Sequence, residues 1–161
     1  MGAGLNEYTK AGYTRASRSF TPTALDVNLD AKSILVTGAN SGLGKICAIE
    51  FASRGAHVHL LCRDAVRGGE ARDEIIAKSK NSKVELHVVD ISSMEQIKKF
   101  SEAFEGKLDV LVNNAGVLMT ERLVTSEGIE SSFATNTLGT YFLTESLVQA
   151  LERSEAPRVV R

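Results

Sequence analysis

Ser33 to Phe51 constrains the fold of this chain most. A short apolar block, Ile34-Leu35-Val36, runs into Thr37-Gly38-Ala39-Asn40-Ser41-Gly42-Leu43-Gly44, and Leu43, Ile46, Ile49 and Phe51 follow at roughly helical spacing. That order reads as strand, glycine turn, helix. The alternation then continues. Gly55 ends the helix, and Ala56 to Cys62 reads as a second strand. A charged helix from about Asp64 to Lys80, a third strand at Val84–Val89, a helix marked by Met94, Ile97, Phe100 and Phe104, and a fourth strand at Leu108–Val112 come next. Ile129, Phe133, Thr140, Leu143, Leu147 and Leu151 fall along one long helix that the Pro157 region terminates, and Val159-Val160 begins a fifth strand. Consecutive parallel strands need crossovers of this kind, because a tight hairpin joins only antiparallel neighbours. The expected architecture is α/β, a doubly wound parallel sheet comprising strands 1–4 and the start of strand 5.

A glycine turn between the first strand and first helix of such a sheet is where a dinucleotide binds, which makes this a Rossmann-type unit. Gly38 lets the backbone turn sharply, Gly42 lets it approach a pyrophosphate, and Gly44 allows close helix–sheet packing, with Asn40, Ser41 and Leu43 completing the turn. The helix N-terminus adds free N–H groups and positive partial charge. At the end of the second strand, an NAD site places an acid for the ribose 2′-hydroxyl. Here the turn reads Cys62-Arg63-Asp64. Arg63 can pair with a 2′-phosphate, while Asp64 suits the cap of the next helix, so NADP(H) is favoured over NAD(H). The plainer alternative for Arg63 is a solvated strand-end arginine. Asp90-Ile91 ends the third strand and Asn113-Asn114-Ala115-Gly116 the fourth, so three strand ends face one crevice. Taken singly, the Asn113-Asn114 pair is an ordinary turn former and Asn136 an exposed helix polar residue.

The 161 residues, 43% hydrophobic and 24% charged, suit one globular domain. The division expected is an N-terminal extension over residues 1–30, without helical or alternating period, and the nucleotide-binding domain over 31–161. A net charge of −1 gives no field to collect nucleic acid, which is not expected as a partner. No run approaches the roughly 18 apolar residues that span a bilayer, so a transmembrane segment is not expected. The start Met1-Gly2-Ala3-Gly4-Leu5-Asn6 approaches an acylation signal, but Asn6 stands where Ser or Thr is wanted. The lead could also be a targeting segment, although Glu7 and Asp26 count against it, so localisation is open within an intracellular, cytoplasmic-leaning reading. Cys47 and Cys62 fit neither a disulfide framework nor a paired-cysteine zinc site and are expected reduced. His57, His59 and His87 read as strand-face residues, and no metal is expected.

The T-G-A-N-S-G-L-G, D-I-S and N-N-A-G elements, in this order, resemble those of the classical short-chain dehydrogenases/reductases over about residues 31 to 161. The lead Glu7-Tyr8-Thr9-Lys10-Ala11-Gly12-Tyr13, with Phe20 and C-R-D, is similar to a branch of that family near the retinol and protochlorophyllide reductases. The resemblance implies an NADP-linked oxidoreductase moving hydride between NADP(H) and a small carbonyl or alcohol. It implies that Asp90 hydrogen-bonds the adenine, that Asn113 braces the central sheet, that Ala115 and Gly116 line the nicotinamide ribose, and that Asn136 is the helix-borne asparagine of a catalytic tetrad. The family's serine and Tyr-x-x-x-Lys are absent from these 161 residues, since Tyr141 is followed by Phe142, Leu143, Thr144 and Glu145. The expectation is therefore a C-terminally truncated chain, inactive alone, whose rival reading is a catalytically dead nucleotide-binding or interaction protein. Truncation is also expected to leave the fourth strand as an open edge and the long helix's apolar face bare, which favours self-association.

Overall fold

The computed structural model describes residue 7, residues 9–21 and residues 23–161. The Met1–Asn6 start and Tyr8 lie outside the described residues. Five strands, β1 (Ser33–Thr37), β2 (His57–Cys62), β3 (Val84–Val88), β4 (Val110–Val112) and β5 (Arg158–Val160), form one sheet in the order β3-β2-β1-β4-β5. Every neighbouring pair is parallel. The crossovers carry α2 (Gly42–Ser53), α3 (Ala65–Ser79) and α4 (Met94–Ala103), with a short α1 (Lys10–Ala16) ahead of the sheet. The segment between β4 and β5 holds α5 (Ser131–Phe133), a π turn (Ala134–Gly139), α6 (Thr140–Ser146) and α7 (Val148–Glu152).

Alternate side chains of the central strand feed two cores. Ile34 and Val36 join Val58 and Leu60 beneath Ala48 and Ala52 of α2 and Ile75 of α3. Leu35 joins Leu61 and Leu111 on the other face, against Ile97 and Phe100 of α4 and Leu143 of α6. All five residues of β1 are buried, as a strand covered on both faces requires. Small residues on α2 let that helix lie close to the sheet, and local signals set the helix ends. Asp64 caps α3 by accepting from the Arg67 N–H at 2.9 Å, and Gly55, at φ 93°, comes just after the end of α2.

The structure departs from three expectations. The long helix is broken: Ile129 lies outside it, and the π turn shifts the register, so Phe133 is 52% exposed while Leu143 and Leu147 are fully buried. A π turn adds a residue per turn and rotates every later side chain about the helix axis, which a 3.6-residue template cannot register. The open edge on β4 is also not found. β4 is only three residues long, and β5 pairs along all of it, Val110 to Arg158, Leu111 to Val159 and Val112 to Val160. The outer strand among the described residues is therefore β5, not β4. Nor is the apolar helix face bare, because Leu143 and Leu147 pack into the core with Ile97, Phe100 and Leu108.

The described residues of the lead before the sheet contain more structure than the missing periodicity suggested. Beyond α1, the segment just before the sheet is tied to the C-terminal end of α2. The Leu29 N–H donates to the Arg54 carbonyl and the Arg54 Nε to the Leu25 carbonyl, both at 2.9 Å. At the amino ends of β1 and β4, the buried Asp109 carboxylate accepts from the Ser33 N–H (2.9 Å) and the Ser154 hydroxyl (2.7 Å), with Lys32 and Lys107 each 3.3 Å away. Burial raises the Asp109 pKa, but these donors outweigh it and hold the group down at about 2.

Candidate functional site

The carboxyl ends of β1, β2 and β3 and the loop after β4 enclose a crevice of about 350 Å³. Parallel strands all end on one side, so the turns that leave them converge there. Of the residues singled out from sequence, Gly38, Asn40, Ser41, Arg63, Asp90, Ile91, Asn114, Ala115 and Gly116 line this crevice. Asn113 and Asn136 do not. They line an adjoining cavity of about 730 Å³ that shares Ala115 and Gly116 with the first. Gly42, Leu43 and Gly44 line neither and form the first turn of α2 behind it.

The turn after β1 is built to bring backbone close. Gly42, at φ 56°, lies in the left-handed region that glycine alone enters freely, and nothing stands within 4 Å of where its Cβ would be. Gly44 is the opposite case. A Cβ there would lie 2.6 Å from the Gly38 carbonyl oxygen and 2.5 Å from the Asn114 amide nitrogen. The α2 N-terminus is left uncapped by its Ser41 side chain and has no acid in its first turn, so its N–H groups are free for an anion.

Threonine and asparagine hydrogen bonds fasten the fourth strand end to the first. Thr37 Oγ1 accepts from the Asn114 N–H (3.0 Å) and the Ala115 N–H (2.9 Å), and the Asn114 side-chain amide donates to the Thr37 carbonyl at 3.0 Å. Asn113 donates to the Thr144 hydroxyl at 3.1 Å, and its buried Oδ1 has no partner among the described residues. Asn136, inside the π turn, uses both ends of its amide on one residue: Oδ1 accepts from the Val117 N–H at 2.8 Å and Nδ2 donates to the Val117 carbonyl at 2.7 Å. It thereby holds the strand-end loop that separates the two cavities.

At the second strand end, Asp64 is committed to capping α3, whereas Arg63 is exposed and has no partner among the described residues. Arg67, one helical turn on, also lines the crevice. Sequence alone places Arg67 on a solvated helix face, yet the Arg63-x-x-x-Arg67 spacing across a helix start carries the signal. Val117 and Thr135 were likewise missed, since nothing local marks a loop residue and a helix residue that meet only in the fold. At the third strand end, Asp90 Oδ1 accepts from the Ser92 N–H (2.9 Å) and hydroxyl (2.7 Å), which orients its carboxylate at the crevice wall. Cys62 lines the same wall as a free thiol. Burial pushes its pKa up, against weaker opposing hydrogen bonds from Ala39 and Asn40, so it stays a neutral thiol. Among the described residues no helix is long and apolar enough to cross a membrane.

Comparison with known proteins gives a consistent picture. The family profile described as short chain dehydrogenase matches residues 32–161. The chain is 50% identical over 159 residues to dehydrogenase/reductase SDR family member 12 from Homo sapiens, covering 98% of this chain and 50% of that protein. It is 43% identical over 138 residues to retinol dehydrogenase 12 from Mus musculus, covering 84% of this chain and 44% of that one. The chain thus spans about half the length of the curated relatives it matches. Its fold resembles that of the short chain dehydrogenase from Shigella flexneri, with a TM-score of 0.69 at 24% identity, over 81% of this chain and 54% of that one.

Proposed function

We propose, from the premise that this chain belongs to the short chain dehydrogenase family, that its crevice binds NADP(H) and that the whole protein is an oxidoreductase acting on a carbonyl or alcohol. The observation that carries the cofactor is the second strand end. The acid there is already used as a helix cap, and two arginines, Arg63 and Arg67, border the crevice without a competing carboxylate in contact. A dianionic 2′-phosphate matches that pair, whereas a bare 2′-hydroxyl would find no acceptor in Asp64. The site also passes a steric test of fit. The turn from Gly38 to Gly44 leaves open space at Gly42 and exposes uncapped N–H groups, which suits a pyrophosphate.

In this reading Ser41 and the first turn of α2 hold the pyrophosphate, Asp90 and Ile91 flank the adenine, and Ala115 and Gly116 flank the nicotinamide ribose. Asn136 fixes the loop between the cavities by its two bonds to Val117. The bound cofactor supplies the hydride. Proton transfer needs a further acid/base, and no Tyr-x-x-x-Lys occurs in these 161 residues, so residues 1–161 by themselves are expected to bind NADPH without reducing carbonyls.

The test is Arg63→Asp, titrated with NADPH and NADH. Losing a charge-assisted pair and adding a repelling carboxylate should weaken NADPH by about tenfold or more while leaving NADH nearly unchanged. Equal losses for the two cofactors would refute the assignment of Arg63 to the 2′-phosphate.

A further inference from the structure

The sheet carries a second polar grouping, on the face of β2 and β3 that packs against Phe100 and Phe104. His57 and His59 are two residues apart on β2, and Glu85 and His87 are two apart on β3, so each pair projects to one face. The register sets His59 directly beside Glu85 and brings all four onto the same face. His57 Nε2 lies 2.8 Å from Glu85 Oε1, and His59 Nδ1 lies 3.0 Å from His87 Nε2. Glu85 Oε2 is 3.8 Å from His59 Nδ1 and 3.9 Å from His87 Nε2. One donor atom from each of His57, His59 and Glu85 falls within 4.8 Å of the others.

These separations suit a common coordination centre. Ligand bonds of about 2.1 Å in a tetrahedron set neighbouring donor atoms about 3.4 Å apart, in the middle of the range found here. Three imidazoles and one carboxylate form a nitrogen-rich donor set with a single negative charge, which favours zinc-like divalent transition metals over calcium or magnesium. The surroundings fit as well. His59 stacks edge-on to Phe104 and His87 to Phe100, each with ring centroids 5.0 Å apart, giving an apolar wall on the α4 side. The His57 and Glu85 side chains, 37% and 55% exposed, form the solvent side through which an ion enters.

We propose that His57, His59 and Glu85 bind one divalent transition-metal ion of the zinc type, with His87 supplying the fourth ligand. The two ligand pairs come from adjacent strands, so the ion clasps the outer strand β3 to β2. None of the four side chains lines the crevice, so the ion's role is structural. Because the ion binds the folded chain, it raises thermal stability without touching the cofactor.

The experiment is calorimetric titration of the purified, tag-free chain with zinc chloride, repeated with cobalt(II) chloride to read the visible absorption of a tetrahedral site. The expected result is one ion per chain, an upward shift in melting temperature on zinc addition, and binding weakened about tenfold or more by Glu85→Gln and by His57→Ala. Both altered side chains are partly exposed to solvent, and circular dichroism verifies that each variant is folded. NADPH titration of Glu85→Gln should match the unaltered chain, which separates this proposal from the cofactor assignment. Failure to bind zinc, or binding that neither variant weakens, would overturn the proposal and leave the four side chains as a hydrogen-bonded cluster only.

Discussion

Asp109 shows at the residue scale how a buried charge is tolerated. Its carboxylate is 3% exposed and gathers the Ser33 amide, the Ser154 hydroxyl and two lysine ammonium groups. The folded pKa of about 2 lies below the ordinary value of 3.8. A depressed acid contributes its full stabilisation above about pH 4 and loses it as pH falls from about 4 towards 2, a change of ~2 kcal/mol. Chemical denaturation across that window should therefore show a steeper loss for the unaltered chain than for Asp109→Asn, and parallel curves would count against the network. None of this was legible in the sequence, because Ser33, Asp109 and Ser154 are far apart in the chain and carry no motif. By contrast, Gly38, Asn114 and Gly116 stood out because the need for tight turns at strand ends writes itself into adjacent residues. Arg63 was legible for the same reason, and Arg67 was not, since charge on a helix is usually solvated.

At the scale of elements, the π turn at Ala134–Gly139 is the feature that the apolar pattern hid. Thr140, Leu143, Leu147 and Leu151 kept a helical spacing, and extending it back to Phe133 and Ile129 ignored the added residue. Gly139 is the reason the turn can sit where it does. A Cβ at that position would overlap the Ile91 carbonyl oxygen and press on the Ala134 carbonyl. Gly139→Ala should accordingly cost about 2 kcal/mol or more by forcing backbone apart. It should also weaken NADPH binding, since Ile91 lines the crevice. A denaturant midpoint within error of the unaltered chain would disprove the close approach. Strands were easier to read than this turn, because Ile34-Leu35-Val36 and His57–Cys62 are short, apolar and bounded by glycines or charges. The pairing of β4 with β5 escaped notice because a three-residue strand looks inadequate until its partner proves to be equally short.

For the whole molecule, the order β3-β2-β1-β4-β5 places chain neighbours side by side everywhere except where β1 meets β4. Ile34 meets Val58, and Val58 meets Val84, across short crossovers, but Ile34 meets Val110 only after the chain has passed through β2 and β3. Closing that longer loop costs about 1 kcal/mol more in chain entropy than either short one. The β4–β5 flank is therefore expected to assemble onto a β1 edge already paired with β2. Folding should be sequential in time, with amides that bridge β1 to β2 gaining protection from solvent exchange before those that bridge β4 to β1. Pulse-labelled hydrogen exchange during refolding would register that delay, and simultaneous protection would mean that both flanks condense together. The same ordering applies at the ribosome, where β1, β2 and β3 emerge first and can wait, half-built, with one side of β1 open until Val110–Val112 arrives.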